Sequence, residues 1–142
     1  MLELYVDANA PGGGNGSRDL PWQSPVTARD YIRALKAGEG LPTGGVTVFL
    51  RGGTYTLSST FALTSSDSGE ATKPIVWRNY YGETVYLCGG RVLSAGSFAA
   101  ITEGDPNWSK FPSGARSSIL VYDLAGAGIT DYGTLQPRGY AI

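Results

Sequence analysis

The stretch V-T-V-F-L-R-G-G-T-Y-T-L, Val46 to Leu57, decides how the chain folds. Five β-prone residues, Val46–Leu50, run into Arg51 and the pair Gly52-Gly53, and Thr54-Tyr55-Thr56-Leu57 follows at once. β-Branched and aromatic side chains suit a pleated, half-buried surface, and adjacent glycines let a backbone turn sharply between two such runs. The Thr-x-Phe and Tyr-x-Leu spacings send alternate side chains to opposite faces. Two strands joined this closely leave no room for a helical crossover, so they form a hairpin or the corner of a solenoid coil. Sequence further along favours the corner. V-F-L and I-V-W are unbroken apolar runs, which suit strands buried on both faces of a parallel stack. Val46–Leu50 corresponds to Ile75–Asn79, and Phe61–Thr64 to Val85–Cys88. The repeat unit of roughly two dozen residues falls in the range of stacked supersecondary units.

Around this centre, Leu2–Val6 is a short strand and Asp7–Asp19 a loop. The cluster Gly12-Gly13-Gly14-Asn15-Gly16-Ser17 lacks the Lys-Ser/Thr end of a phosphate loop and opens no helix, so a flexible surface loop is expected. Asp7 and Asn9 alternate like two calcium ligands without the ligands that would follow, which makes them a turn-forming Asx pair. Ser24–Gly38 is the helix. It starts either at Ser24-Pro25 or at a capping-box-like Thr27…Asp30 and ends at Gly38. Ala28, Tyr31, Ile32 and Leu35 form one apolar stripe, while Arg29, Arg33 and Lys36 are expected on a solvated face. Further strands are expected at Thr60–Leu63, Ile75–Tyr80, Val85–Cys88 and Ser118–Leu124.

Composition narrows the function. A chain of 142 residues with 42% hydrophobic residues can bury a core. Its net charge of −1, without clustered Lys or Arg, leaves no footprint for nucleic acid. Histidine is absent, which removes the commonest general base and metal ligand; no metal set and no cofactor are expected. Cys88, the single cysteine, is expected as a buried free thiol. No apolar run reaches membrane-spanning length, so no membrane partner is expected. Met1 leads straight into a strand, a start compatible with a trimmed secreted protein or with a cytoplasmic one.

The order of parts over residues 4–90 resembles the N-terminal part of bacterial right-handed parallel β-helix proteins of the pectin-lyase-like class, many of them carbohydrate-active. The matching pieces are Leu4-Tyr5-Val6-Asp7, Pro21-Trp22-Gln23-Ser24-Pro25, the Ala28–Leu35 helix and Gly44–Tyr55. Asp67-Ser68-Gly69, Pro74-Ile75 and Gly82-Glu83…Gly89-Gly90 complete the match. The resemblance implies a mainly β chain: residues 1–90 form the first coils with a capping α-helix at their open end. Residues 91–142 then begin a β-rich insertion that stops incomplete, with turns at Asp131-Tyr132-Gly133 and Pro137-Arg138-Gly139. It also implies a secreted or cell-surface location and a polysaccharide or glycan as partner of the parent protein.

The chemistry within these residues is thin. A glycosidase needs two carboxylates about 5–9 Å apart, and a lyase a base with a cation for the uronate. Glu103 and Asp105, with Trp108 nearby as a sugar-facing ring, are the one acidic pair close in sequence, and a surface acidic loop is the expectation. Tyr80 and Tyr81 could stack on sugar but are expected to pack. No catalytic, substrate-binding or metal-binding residue is therefore assigned. Asn15-Gly-Ser17 and Asn107-Trp-Ser109 fit glycosylation sequons, which matter only in a eukaryotic secretory setting. Two functions follow. One is the cap and scaffold of a β-helix glycoside hydrolase or polysaccharide lyase, inactive alone; the other is a non-catalytic glycan-binding or structural module, adhesin or tailspike-like. With few coils, an exposed strand edge near Ile75–Cys88 is expected to favour self-association, unless Ser118–Leu124 folds back to cover it.

Overall fold

The computed structural model describes residues 1–131 and 133, so Tyr132 and Pro137-Arg138-Gly139 lie outside the described residues. The chain divides into two compact units, Met1–Arg91 and Val92–Ile142. In the first, β1 (Leu2–Val6), β2 (Val46–Leu50) and β4 (Ile75–Asn79) make a parallel sheet in the order β1-β2-β4. β3 (Gly53–Thr56) and β5 (Val85–Cys88) make a second parallel pair. The register runs straight across, with Val6, Leu50 and Asn79 in one row and Val48 between Leu4 and Trp77. β2 and β3 pair with different partners, so Arg51-Gly52 is a corner and not the tip of a hairpin.

The register explains the core. Leu4, Val6, Val46, Val48 and Leu50 point inward with Tyr55, and all are buried, with Ile75, Trp77 and Val85 packed against them. The Tyr55 hydroxyl lies 2.8 Å from the Arg51 carbonyl and 2.9 Å from that of Val6, which also accepts from the Arg51 amide at 2.8 Å. Close approach sets one glycine: a Cβ at Gly45 would collide with the backbone of Pro74, where β2 and β4 begin side by side.

Helix α1 (Pro25–Ala37) starts at Ser24, whose hydroxyl accepts from the Val26 amide at 3.2 Å; Asp30 serves Arg29 and Arg33 instead of a second cap. Ala28 and Ile32 enter the core beside Leu4 and Val6, whereas Leu35 is half-buried and Tyr31 is exposed, its ring tilted against Trp22 at 5.0 Å. The helix unwinds beyond Gly38, and the left-handed residue is Gly40, whose amide donates to Leu35.

Several expectations need correction. Arg29, Arg33 and Lys36 do not simply face water. Arg33 forms a two-pronged pair with Asp67 at 2.7 and 2.6 Å, Lys36 donates to the carbonyls of Ser66 and Ser68, and Arg29 to that of Ala62. Asp67 also accepts from the Thr64 amide at 2.6 Å, and its side chain is only 7% exposed. Thr60–Leu63 is not a strand: its carbonyl goes to the helix, and Phe61 packs edge-on against Trp77 at 5.3 Å. The partner of β5 is consequently Gly53–Thr56 and not Phe61–Thr64. The glycine loop is held against the outer edge of β1. The Tyr5 amide donates to Gly16, the Trp22 amide to Tyr5, and the Asp7 amide to Trp22. Gly16 is buried under the Trp22 ring, where a Cβ would clash. Cys88 is a free thiol but only half-buried.

In the second unit the described strands are short. β6 (Ala99–Ala100) pairs antiparallel with β7 (Leu120–Val121), far shorter than the strand expected over Ser118–Leu124, because Ser113–Ser118 winds into a 3-10 helix. β7 is thus committed to β6.

Ile32→Asp puts an unpaired charge among core side chains and should cost on the order of several kcal/mol, read as a lost or strongly lowered melting transition. Arg33→Asp is also expected to lower the melting temperature, through repulsion from Asp67. The Arg33 hydrogen bonds hold the Asp67 carboxyl below the usual carboxylate range. A depressed folded-state pKa gives stability that is present above about pH 4 and lost as the pH falls below it. Urea titrations at pH 7 and pH 3 should show that dependence weakened in Asp67→Asn.

Candidate functional site

Side chains at odd positions of β1 and β2 face outward, and there they gather aromatic rings. Tyr5 and Phe49, opposite each other in the ladder, stack at 5.4 Å, and the residue across from Phe49 on β4 is Arg78. The chain leaving β4 adds Tyr80, set edge-on to Tyr5 at 6.0 Å and to Phe49 at 5.8 Å, and Tyr81, 4.5 Å from Tyr80. Tyr81 lies almost parallel to Phe49, at 15° and 6.0 Å. Both tyrosines therefore join a packed cluster, but unequally: Tyr80 is half-buried, whereas Tyr81 is 76% exposed. Tyr81 is the one non-glycine residue among those described with a left-handed backbone, φ +36°.

Cations sit over these rings. The Arg51 guanidinium is 4.9 Å from the Tyr80 ring centre and that of Arg18 is 5.9 Å away. Arg51 is tied at 3.0 Å to Glu83, which also accepts from the Gly52 amide at 2.6 Å. Those two donors, Arg51 first, hold the Glu83 carboxyl below its ordinary pKa. The Tyr5 hydroxyl donates to Glu3 at 2.8 Å, and this bond, with burial, pushes it up to about 12. Burial pushes Tyr55 up to about 12 as well.

Four other carboxylates close local turns. Asp7 accepts from the Asn9 amide at 2.9 Å, the expected Asx turn, and Asp105 accepts from the Asn107 amide at 2.7 Å. Asp123 and Asp131 close turns at Gly126 and Gly133. Glu103 is exposed, and one face of Trp108 is covered by the Arg116 guanidinium at 4.7 Å. An open cleft of about 300 Å³ beside α1, lined by Ala8, Gln23, Ser24, Pro25 and Thr54–Leu57, offers one ionisable group, the Tyr55 hydroxyl already bonded to Val6 and Arg51. Among the described residues, no three of Cys, Asp and Glu gather to hold a metal ion. The aromatic–arginine face is the feature that periodicity alone could not expose. Tyr80 and Tyr81 were visible in sequence, but their meeting with Tyr5, Phe49, Arg18 and Arg51 depends on the register of three strands.

The first unit so described is a pair of in-register parallel ladders with a helix packed beside β1. No family model matches the chain. It is 37% identical over 87 residues to pectate lyase PEL9 from Emericella nidulans, a match covering 61% of this chain and 18% of that protein. A solved glycoside hydrolase superposes with a TM-score of 0.58 at 28% identity, covering 64% of this chain and 15% of that one. The chain thus spans less than a fifth of either relative's length. Together the two findings support a relationship to pectin-lyase-like, carbohydrate-active proteins.

Tyr5 and Tyr55 keep their protons in the folded state to a higher pH than tyrosines in an unfolded chain, which ionise near 10. A raised folded-state pKa stabilises fully below the unfolded value and is lost as the pH climbs towards about 12. Denaturation midpoints should therefore fall between pH 10 and 12, and less steeply in Tyr5→Phe, which has no proton to lose.

Proposed function

We propose that Met1–Arg91 is the N-terminal cap and first coils of a right-handed parallel β-helix. In this reading it is a scaffold region of a secreted polysaccharide-degrading enzyme, hydrolase or lyase, and is inactive by itself. Val92–Ile142 begins a β-rich insertion. One observation carries the reading: Leu2–Val6, Val46–Leu50 and Ile75–Asn79 stack in register while Gly53–Thr56 stacks on Val85–Cys88, so one turn of chain lies above the next. Right-handedness follows from the near-universal hand of parallel crossovers. α1 covers the end of the stack beside β1, where Ala28 and Ile32 close the core. Fewer than a fifth of the residues of either relative are matched, and Asp7, Asp67, Glu83 and Asp105 are held in turns and ion pairs, so in this reading the catalytic groups belong to later coils of the parent. The exposed aromatic–arginine face favours a second reading, a non-catalytic glycan-binding module.

The purified chain should turn over no plant, algal or host polysaccharide. Turnover abolished by Glu103→Gln or Asp105→Asn would overturn the scaffold reading, and clustered carboxylates in the coils that follow in the parent gene would favour the enzyme over the binding module.

Among the described residues, β4 and β5 have a parallel partner on one side only, and Val76, Tyr86 and Leu87 near that edge are exposed. Open edges template pairing with another chain. The isolated chain should self-associate through the Val85–Leu87 region as its concentration rises in light scattering, with Tyr86→Pro reducing the association. A wild type that stays monomeric at high concentration would remove the open-edge proposal.

A further inference from the structure

Basic residues are spread along the chain, but the backbone around them is not equally open. A protease reads its substrate as an extended strand, so the chain around a cut must be exposed and free of internal hydrogen bonds. Arg29, Arg33 and Lys36 lie in α1, and Arg78 lies in β4. The Arg51 amide donates to Val6 and the Lys73 amide to Glu70. Lys110 and Arg116 belong to 3-10 turns. Arg18 is exposed, but beside it the Leu20 carbonyl accepts from both Asn15 and Gly16, and Gly16 is buried under Trp22. Arg91 stands apart. Among the described residues, the hydrogen bonds and ion pairs include no backbone or side-chain group from Gly89 to Leu93. Gly89, Gly90 and Arg91 are exposed, and Val92 is 88% exposed.

We propose that the Arg91–Val92 bond is a processing site, the point at which a protease of basic specificity divides the folded chain. The arginine side chain is the one that a carboxylate at the base of a protease's specificity pocket takes. Hydrolysis adds one water across the amide, leaving a carboxylate on Arg91 and an amine on Val92. The limit of the first compact unit falls at this same bond. The fragment Met1–Arg91 keeps what holds it together: the core from Leu4 to Val85 and the ion pairs Arg33–Asp67 and Arg51–Glu83 all lie within it. A cut here releases a folded piece, which distinguishes processing from degradation. The site requires no glycan and no catalytic coil, so it stands or falls apart from the scaffold reading, whose tests are turnover and self-association.

Limited digestion of the full chain with trypsin, followed by mass spectrometry of the products, tests it. Arg138 lies outside the described residues, so the cuts compared are those within residues 1–131. Met1–Arg91 is expected as the first product of such a cut, and once purified it should keep a cooperative melting transition. Arg91→Gln should leave residues 1–131 intact about tenfold longer, because the remaining sites must open locally before they are cut. Val92→Pro, which retains Arg91 but puts proline on the leaving side of the bond, should protect to the same degree. The melting temperature of each variant confirms that protection does not come from a changed fold. A first cut at another Lys or Arg of that range, a Met1–Arg91 fragment without a melting transition, or unchanged digestion of folded Arg91→Gln would overturn the proposal.

Discussion

Among the described strands, Val46–Leu50 is the one with a parallel partner on both sides, and all five of its residues are buried. Its inward side chains meet those of Leu2–Val6 and Ile75–Asn79 row by row, and its outward Phe49 is covered by rings from both neighbouring strands' chains. A one-residue slip of β2 would exchange Val48 with Phe49, moving the core row outward and the aromatic row inward. Register here is therefore set from two sides at once. The corner that follows is anchored by the same logic: the Tyr55 hydroxyl bonds the carbonyls of both Val6 and Arg51, tying the second ladder to the first.

The polar contacts follow from where that stack leaves the chain exposed. The segment between β3 and β4 must travel back past α1, and its carbonyls at Ala62, Ser66 and Ser68 are met by Arg29 and Lys36. Asp67, nearly buried, is matched by Arg33 in fork-to-fork geometry and by the Thr64 amide. A buried carboxylate without such partners would be costly, so the helix's basic face and the return loop are one electrostatic unit. On the far side of the corner, Arg51 and Glu83 do the same for the turn after β4, leaving the arginine's flat face over Tyr80.

Amino-acid order alone determined the strands Leu2–Val6, Val46–Leu50, Ile75–Asn79 and Val85–Cys88 and the helix capped at Ser24, because β-branched runs, proline at the first helical turn and paired glycines act within a few residues. It also paired Val46–Leu50 with Ile75–Asn79. Tertiary structure decided the rest. Thr60–Leu63 has strand composition, yet packing against Trp77 and capture of the Ala62 carbonyl by Arg29 outweigh a weak propensity. Arg33 looked like a surface charge because its partner, Asp67, lies on a loop that only the fold brings back. Gly16 looked like slack and is a close contact with Trp22. Tyr80 and Tyr81 could be seen as a pair, but whether they were buried packing or an exposed face depended on β1 and β2 delivering Tyr5 and Phe49 beneath them. Local sequence encodes which segments extend or coil; long-range register alone determines which side chains share a face.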